Sequence, residues 1–593
     1  MLRVDDGPGR LGRQANIAFI TQQQPGGPKT MPPHRSPRPD NPAAPHPARF
    51  PQRDFQWVHT ALLERREIAL LDVREEAPFA EAHPLFAANL PLSRIELEAW
   101  TRIPRRDTSI VVYDGGEGLA PRAALRLGQL GYTDVGILEG GLAGWRDAGG
   151  ELFRDVNVPS KAFGELVESK RHTPSLSAQE VRALLDSNVD VVVLDARRFD
   201  EYNTMSIPSG ISVPGAELAL RVRTLAPDPS TRVIVNCAGR TRSIIGTQSL
   251  VNFGIPNPVA ALRNGTIGWT LAGQALEHGQ VRRFGPVDAA LRAEASARAR
   301  AVADRAGVGR ATRASVDDWR REAGRTTCLF DVRTPEEYLA GHLPGFVSAP
   351  GGQLVQETDH SVPVRGARIV LVDDDGVRAN MTASWLAQMS WEVHVLDGLA
   401  PADFAETGGP AMELPPAPAA ATVSPARLAD WLGLAGGSPA DAGDAAPPQG
   451  QVVIIDLGAS AAYVRSHLPG AWFALRSQLP EALAAIHASQ PGPARYVLTS
   501  PDGVLARYAA ADLERLVPPE SVHVLDGGSA AWSAAGLPME AGEQRLASPR
   551  IDRYRRPYEG TDNPVEAMQG YLDWEFGLVE QLGRDGTHGF FVI

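Results

Sequence analysis

One short pattern, an apolar run that ends in aspartate, occurs four times along the chain and decides its fold. The copies are IALLDVR (68–74), VVVLDAR (191–197), TCLFDVR (327–333) and VVIIDLG (452–458). Continuous runs of valine, isoleucine and leucine are typical of strands that are buried on both faces of a parallel sheet. Each copy therefore predicts one buried strand of such a sheet.

Two further landmarks follow each copy. The first is an apolar run that leads into a polar loop: SIVVYDGGEG (109–118), RVIVNCAGRTRS (232–243), RIVLVDDDGVRA (368–379) and RYVLTSPDGV (495–504). From the aspartate to the first loop residue the spacing is 42 residues in three copies, Asp72 to Asp114, Asp195 to Cys237 and Asp331 to Asp373, and 44 from Asp456 to Ser500. The second is ILEGGLAGW (137–145), ALRNGTIGW (261–269), VLDGL (395–399) or VLDGGSAAW (524–532). The chain is therefore predicted to hold four copies of a module of about 100 residues.

The fold class that this alternation predicts is α/β, with four tandem domains that are each a mostly parallel sheet flanked by helices. We place modules one to four at residues 51–153, 174–284, 313–408 and 425–542. A helical linker is expected at 285–312, a second linker at 409–424 and a loop at 433–451. The Pro- and Gly-rich segment 1–50 is expected to be a disordered tail. The C-terminal extension, 543–593, is expected to form one helix over 564–582 that packs on a module.

Composition excludes several classes of function. The chain has 593 residues and a net charge of -12, which argues against a nucleic-acid partner because phosphates require a concentrated basic surface. Its 2 cysteines cannot supply a disulfide framework or a four-thiolate metal site. No apolar stretch is long enough for a membrane span or a secretory signal. We therefore expect a cytoplasmic protein with no membrane partner, no metal and no cofactor.

The loop after the second apolar run of module two carries the residues suited to chemistry. It reads Cys237, Ala238, Gly239, Arg240, Thr241, Arg242 and Ser243, and a predicted helix follows. Backbone N–H groups at a loop and helix start favour an anion, and the two arginines add positive charge. The sequence therefore predicts a Cys237 thiol with a lowered pKa that acts as a nucleophile.

The four modules resemble rhodanese domains, and the Cys237–Ser243 loop resembles the active-site loop of the sulfurtransferases in that family. The aspartate-x-arginine strand ends, GHLPG (341–345), HLPG (467–470) and the final glycine pair with tryptophan carry the resemblance over about 52–542. It implies that Cys237 takes the outer sulfur of a small anionic donor such as thiosulfate and passes it, as a persulfide, to a thiol or cyanide. Arg240 and Arg242 would bind the donor, within a loop completed by Ala238, Gly239, Thr241 and Ser243.

Loop length separates this reading from phosphatases of the same fold, which place five residues between the cysteine and its arginine. Here four residues separate Cys237 from Arg242, so phosphatase activity is disfavoured. Mercaptopyruvate sulfurtransferases usually have small uncharged residues at the position of Arg240, which favours a sulfonate-like donor.

The other modules lack the nucleophile, since Asp114, Asp373 and Ser500 align with Cys237. We expect them to be inactive, with modules one and two packed as an inactive–active pair and modules three and four as a second, inactive pair. Asp195 and Arg197 recur in inactive modules, so we expect them to support loop geometry. Cys328 and the tryptophans that end the modules, Trp145, Trp269 and Trp532, are expected in the core.

Two functions remain open at this stage. The first is a thiosulfate-type sulfurtransferase built on Cys237. The second is a scaffold that carries or senses a persulfide, with little turnover and a protein as its sulfur acceptor.

Overall fold

The computed structural model describes residues 50–409, 413–434 and 451–593. The predicted tail at 1–49 and nearly all of the predicted loop at 433–451 lie outside the described residues. Within them the chain forms four sheets, one in each predicted module. The predicted α/β fold class is confirmed.

Each module contributes five strands, in the spatial order first–fifth–fourth–second–third, and their pairings are parallel. Module one has β1 (Gln52–Arg53), β2 (Ile68–Asp72), β3 (Ala88–Asn89), β4 (Ile110–Tyr113) and β5 (Val135–Leu138). Module two has β6 (Ser175–Leu176), β7 (Val191–Asp195), β8 (Ile211–Ser212), β9 (Arg232–Asn236) and β10 (Val259–Leu262). The fourth strand is central, and its carboxyl end is the place where open parallel sheets bind ligands.

Modules three and four repeat this arrangement. Module three has β11 (Gly309–Ala311), β12 (Thr327–Asp331), β13 (Val347–Ser348), β15 (Arg368–Val372) and β16 (Glu392–Leu396). Module four has β17 (Thr422–Val423), β18 (Gln451–Asp456), β19 (Trp472–Phe473), β20 (Ala494–Thr499) and β21 (Val522–Leu525). One further strand of module three, β14 (Val364–Arg365), pairs antiparallel with β2 and so joins the sheet of module one.

Helices flank the sheets. Those of modules one and two are α1 (Phe55–Leu63), α2 (Glu76–Glu81), α3 (Ile95–Arg102), α4 (Leu119–Gln129), α5 (Gly141–Asp147), α7 (Ala178–Leu185), α8 (Phe199–Thr204), α9 (Leu218–Leu225), α10 (Thr241–Phe253) and α11 (Gly265–Leu271). Those of modules three and four are α13 (Arg313–Arg321), α14 (Pro335–Ala340), α15 (Gly351–Gln356), α16 (Thr358–Ser361), α17 (Arg378–Gln388), α18 (Pro425–Trp431), α19 (Ser460–Arg465), α20 (Leu479–Ser489), α21 (Val504–Leu513) and α22 (Gly528–Ala534). Trp145, Trp269 and Trp532 are fully buried, as predicted.

Four helices of the described residues lie outside the modules. The helix α12 (Ala289–Arg305) lies within the predicted helical linker, whereas α6 (Val158–Arg171), between modules one and two, has no counterpart in the sequence prediction. The C-terminal extension forms two helices, α23 (Val565–Phe576) and α24 (Leu578–Asp585), rather than one. The spacing of apolar residues over 564–582 predicts that Met568, Tyr571, Leu572 and Phe576 share the packed face; the first three are buried, whereas Phe576 is 56% exposed.

The modules pair differently from the prediction, through the segment that follows the third strand of each. In modules one and four, Arg476 of the segment after β19 forms two hydrogen bonds with Glu96, of 2.6 and 3.0 Å, and Ser477 Oγ donates to Glu75 at 2.8 Å. In modules two and three the corresponding segments meet at Gly215 and Gly352, so closely that a Cβ on Gly352 would lie 3.1 Å from the Gly215 nitrogen. The pairs are therefore one with four and two with three, and the expected pairing of one with two and three with four is wrong.

The buried ion pair between Arg476 and Glu96 gives a testable prediction about the first of these interfaces. Arg476 is 4% exposed and also donates to Asp512 at 2.8 Å. Because Arg476→Ala removes two charged hydrogen bonds from buried Glu96 and leaves Arg126 as its ion-pair partner, we expect local opening of α3 and α20 to become easier by about 1.5 to 3 kcal/mol. Amide hydrogen exchange measures this change.

The matched control is Arg94→Ala, which removes the half-exposed partner of Glu98 and should change exchange by less than about 1 kcal/mol. Equal exchange in both variants would contradict a role for Arg476 in holding modules one and four together.

Candidate active site

The predicted nucleophile lies at the carboxyl end of the central strand of module two. Cys237 follows β9 directly, and α10 begins four residues later at Thr241. The side chain is buried, with only 1% of its surface exposed. The strand, the loop and the helix start predicted from the sequence are all present at this position.

The modules that lack a cysteine at this position show which backbone groups point at it. Asp114 accepts hydrogen bonds from the N–H groups of Gly116 and Ala120, at 2.9 and 2.8 Å. Asp373 likewise accepts from Gly376 and Ala379, at 2.9 and 2.7 Å. In each case the carboxylate fills the anion position itself, and one donor is the sixth residue after it.

The same sixth residue faces the side chain in the other two modules. In module four the Ala506 N–H donates to Ser500 Oγ at 3.3 Å. In module two the corresponding residue is Ser243, whose backbone N–H interacts with Cys237. We refer to these N–H groups at the loop and the first turn of α10 as the anion cradle. They lie in the part of a helix whose N–H groups have no intrahelical partner.

The pKa of the Cys237 thiol differs from the prediction. Burial raises this pKa above its ordinary value, and the charge of Arg242 and the hydrogen bonds of Ser243 offset only part of the effect. The thiol is 3.3 Å from Ser243 Oγ, which itself donates to the Arg240 carbonyl at 2.8 Å. This chain of hydrogen bonds suits a neutral thiol as donor, so the predicted lowering of the pKa is wrong for the closed site.

Arg240 is held by side chains outside its own loop. Its guanidinium forms two hydrogen bonds with Glu165 of α6, at 2.7 and 2.8 Å, and also pairs with Glu168. A further bond of 3.1 Å reaches Asn264 Oδ1. Carboxylates of α6 therefore bind Arg240, the residue that the sequence prediction assigns to donor binding.

Arg242 is paired as well. It forms two hydrogen bonds with Glu201 of α8, at 2.7 and 2.8 Å, and Arg242 together with Arg197 and Arg198 lowers the pKa of Glu201 to about 2 although burial opposes this. Module three, which has Asp373 in place of the cysteine, contains the same pair, Arg378 and Glu337, at equivalent positions. The pair is thus present where there is no thiol, although in module two the charge of Arg242 also acts on Cys237.

Asp195 and Arg197 stabilise the neighbouring strand end. Arg197 donates to both carboxylate oxygens of Asp195, at 2.9 and 2.7 Å, and to the Met205 carbonyl at 2.6 Å. Asp195 also accepts a bond of 2.9 Å from Asn236, the residue before Cys237. Modules one and three contain the corresponding pairs Asp72–Arg74 and Asp331–Arg333.

Gly265, at the second position of the glycine-pair motif, packs against the loop that carries Cys237. Gly265 has a φ of +53°, and a Cβ there would lie 2.3 Å from the Cys237 carbonyl oxygen. The next residue, Thr266, donates its N–H to that oxygen at 2.9 Å. Gly141 and Gly528 occupy equivalent places in modules one and four, which explains why the sequence keeps glycine there.

The C-terminal extension packs on the loop that carries Cys237. The sequence did not predict this contact. Ala238 lies in an apolar cluster with four side chains of the extension: Tyr558, Met568, Tyr571 and Leu572. Buried Glu575 of α23 interacts electrostatically with Cys237. Nothing in the sequence links this helix to a loop more than 300 residues earlier, whereas the spacing from Asp195 to Glu201, repeated from Asp331 to Glu337, could have revealed Glu201.

The second cysteine is Cys328 in β12, where burial raises the thiol pKa to about 12. It is partly exposed and packs against the core of modules one and three, so the predicted core position is confirmed only in part. Among the described residues, every helix is too short or too polar to cross a bilayer.

Comparison with known proteins agrees with this geometry. The family model for the rhodanese-like domain matches residues 55–148, 177–272, 313–398 and 440–535. The chain is similar over 92% of its length to the whole of a crystallised thiosulfate sulfurtransferase from Pseudomonas aeruginosa, with 68% identity and a TM-score of 0.88. The chain therefore belongs to the rhodanese family, and it is an enzyme of the rhodanese-type sulfurtransferase class.

Two further solved structures are similar to only a small part of the chain. A protein from Anabaena sp. is 25% identical over 18% of this chain and 85% of its own, with a TM-score of 0.17. A rhodanese-related protein from Thermoplasma volcanium is 22% identical over 18% and 97%, with a TM-score of 0.16. A comparison with curated protein sequences gave no match.

The raised pKa of Cys237 gives one prediction. We expect its thiolate to form at a higher pH than the thiolate of an exposed cysteine, because burial disfavours the charged form. The thiolate ultraviolet absorbance of Cys328→Ser, minus that of the variant that also carries Cys237→Ser, measures the titration. A midpoint below that of a free thiol would contradict the closed, desolvated site.

Gly265 gives a second prediction. Gly265→Ala combines a left-handed backbone with a clash against the Cys237 carbonyl, whereas Gly273→Ala, at a φ of +71°, meets nothing within 4 Å. We expect the control to cost about 1 to 2 kcal/mol and Gly265→Ala at least about 2 kcal/mol more. The shift of the first urea unfolding transition measures both. Equal shifts would show that the loop does not depend on Gly265.

Proposed function

We propose that the chain transfers the outer sulfur of thiosulfate, or of a similar sulfonate-like donor, to a thiol or cyanide acceptor through a persulfide on Cys237. One observation carries the proposal. In modules one and three a carboxylate occupies the anion cradle, and in module four a serine does, whereas module two places a thiol there. The relative from Pseudomonas aeruginosa, which is named for thiosulfate, supports the choice of donor.

The reaction has two displacement steps. The Cys237 thiolate attacks the outer sulfur of the donor, so that an Sγ–S bond forms while the S–S bond of the donor breaks. The electron pair of that bond leaves with sulfite, which takes up the proton that Cys237 has lost. The acceptor then attacks the outer sulfur of the persulfide and forms thiocyanate from cyanide or a new persulfide from a thiol, and Cys237 is released as thiolate.

The groups around Cys237 have distinct proposed roles. The cradle N–H groups stabilise the negative sulfur of the thiolate and of the persulfide. Ser243 must turn its hydroxyl hydrogen from the Arg240 carbonyl toward Sγ as the thiol ionises, and Arg242 adds a fixed positive charge. Arg240 anchors the loop to α6 rather than binding the donor. Asp195 and Arg197 hold the strand end that precedes the loop.

A cavity of about 260 Å³ beside the site is the proposed approach for the donor. Four arginines line it, Arg197, Arg198, Arg553 and Arg556, alongside four acidic residues. Glu201 and Tyr558, which both interact with Arg242, also line it. A free reactive thiol at the end of this path suits a reducing compartment, and we place the protein in the cytoplasm.

A second function, a persulfide carrier or sensor that passes its sulfur to a partner protein, is favoured by one observation. Cys237 is 1% exposed and is covered by the C-terminal extension. A covered persulfide would be protected from solvent thiols and released only to a partner that reaches it.

Thiosulfate treatment followed by intact-protein mass spectrometry tests the proposal. We expect one added sulfur atom in the native chain and in Cys328→Ser, and none in Cys237→Ser. Thiocyanate formation from thiosulfate and cyanide should fall at least about a thousandfold in Cys237→Ser, because the nucleophile is absent. Cys328→Ser is the matched control and should retain full activity.

The possible outcomes separate the candidate functions. Activity that survives in Cys237→Ser would overturn both. An adduct on Cys237 with negligible turnover of small acceptors, but with sulfur transfer to a protein, would favour the carrier.

A further inference from the structure

The helix α23 places two polar side chains directly against the loop that carries Cys237. A Cβ built on Gly239 would lie 3.1 Å from Tyr571 Cε1 and 3.5 Å from Glu575 Oε2. The Tyr571 hydroxyl donates to Glu575 Oε1 at 2.7 Å. Glu575 itself is fully buried. The C-terminal extension therefore brings a carboxyl group to the loop that carries Cys237.

One oxygen of this carboxyl group has no partner. Glu575 Oε2 is buried and makes no hydrogen bond to any group among the described residues. Leaving a buried polar atom unpaired is costly, so such an atom at a functional site is evidence for a missing ligand. Because Oε2 is the carboxyl oxygen nearest to Gly239, it faces the loop that carries Cys237.

The surroundings decide the charge of the carboxyl group. The titratable groups that face it come from α6, from the catalytic loop and from α23 itself, and they are Lys161, Glu165, Arg240, Cys237 and Tyr571. The two cations are already paired.

Lys161 is 2.8 Å from Asp155, and Arg240 is bound by Glu165. Burial, with the charge of Glu165, raises the pKa of Glu575 to about 8 against the opposing effects of Lys161, Tyr571 and Arg240. Near pH 7 the carboxyl group is therefore mainly protonated and can donate a hydrogen bond.

We infer that Glu575 is a specificity-determining residue for the sulfur donor, one that donates a hydrogen bond from its neutral carboxyl group to a sulfonate oxygen of thiosulfate or of a related thiosulfonate. The inference rests on the proposed function of Cys237. It assigns the donor's two ends to two parts of the chain. The sulfur end meets the anion cradle of module two, and the oxygen end meets the C-terminal extension.

This arrangement selects between classes of donor. A thiosulfonate presents oxygens that accept the hydrogen bond, whereas a persulfide of a small thiol has no oxygen on its sulfur atoms. An ionised Glu575 would repel an anionic donor instead of binding it. Donor selection therefore depends on the presence of a neutral hydrogen-bond donor at residue 575.

The experiment measures persulfide formation on Cys237 in the full chain, by rapid quench and mass spectrometry, with thiosulfate and with glutathione persulfide as donors. Glu575→Leu removes the hydrogen bond, so the rate constant per molar thiosulfate should fall about 10- to 100-fold. With glutathione persulfide it should change less than about threefold. Glu566→Gln, on the exposed side of the same helix, should equal the native chain with both donors.

Glu575→Gln provides a second test that does not depend on how leucine packs. Glutamine still donates a hydrogen bond but cannot ionise, so it should retain the thiosulfate reaction near pH 7. The ratio of its rate constant to that of the native chain should rise as pH increases through about 8, because only the native carboxyl group becomes charged. Taking the ratio cancels the pH dependence that both proteins share through Cys237.

The outcomes are distinct. Native persulfide formation, with equal thiosulfate rates in Glu575→Leu and a flat pH ratio in Glu575→Gln, would overturn the role of Glu575 and leave the proposed function intact. Loss of rate with both donors in Glu575→Leu would contradict donor selection. Absence of any adduct on native Cys237 would overturn the proposed function itself.

Discussion

The convergence of backbone N–H groups on one side-chain position, at the carboxyl end of the central strand, is the interaction on which the rest of the site depends. Two N–H groups meet the side chain in modules one and three, and in all four modules the N–H group six residues after that position faces it. The fold thus supplies a place for negative charge, and one side chain decides its use. Aspartate fills the place with its own side chain, serine fills it without charge, and Cys237 leaves it open to the sulfur anion of the reaction that we propose.

Much of the module could be predicted from the sequence, because buried parallel strands and close backbone contacts constrain residue types locally. The apolar runs that end in Asp72, Asp195, Asp331 and Asp456 are the second strands of their sheets, and Cys237 directly follows the fourth strand of module two. Glycine is required at position 265 because a side chain there would clash with the Cys237 carbonyl. The glycine motif in the sequence therefore indicates a contact in the folded protein. Such signals are repeated in each module and can be read by comparing the copies.

The remaining features depend on contacts between distant segments that no local pattern reports. Modules pair one with four and two with three, and α6 supplies the carboxylates that bind Arg240. The C-terminal extension covers the loop, and this burial reverses the expected direction of the pKa shift of Cys237. The error in the prediction has a simple physical cause. The sequence shows the positive residues of the loop, but it shows neither their carboxylate partners nor the burial of the thiol.

These contacts give the degenerate parts of the chain a structural purpose. Module three packs against module two and contributes β14 to the sheet of module one, while module four is joined to module one by Arg476 and Glu96. The single thiol site is held within this assembly and closed by a helix from the end of the chain.

The most direct test of the account is a high-resolution crystal structure of the thiosulfate-treated protein. The account predicts an additional sulfur atom bonded to Cys237 Sγ, surrounded by the N–H groups of residues 239–243. A sulfur atom bound elsewhere, or a Cys237 persulfide that points away from these N–H groups, would contradict it.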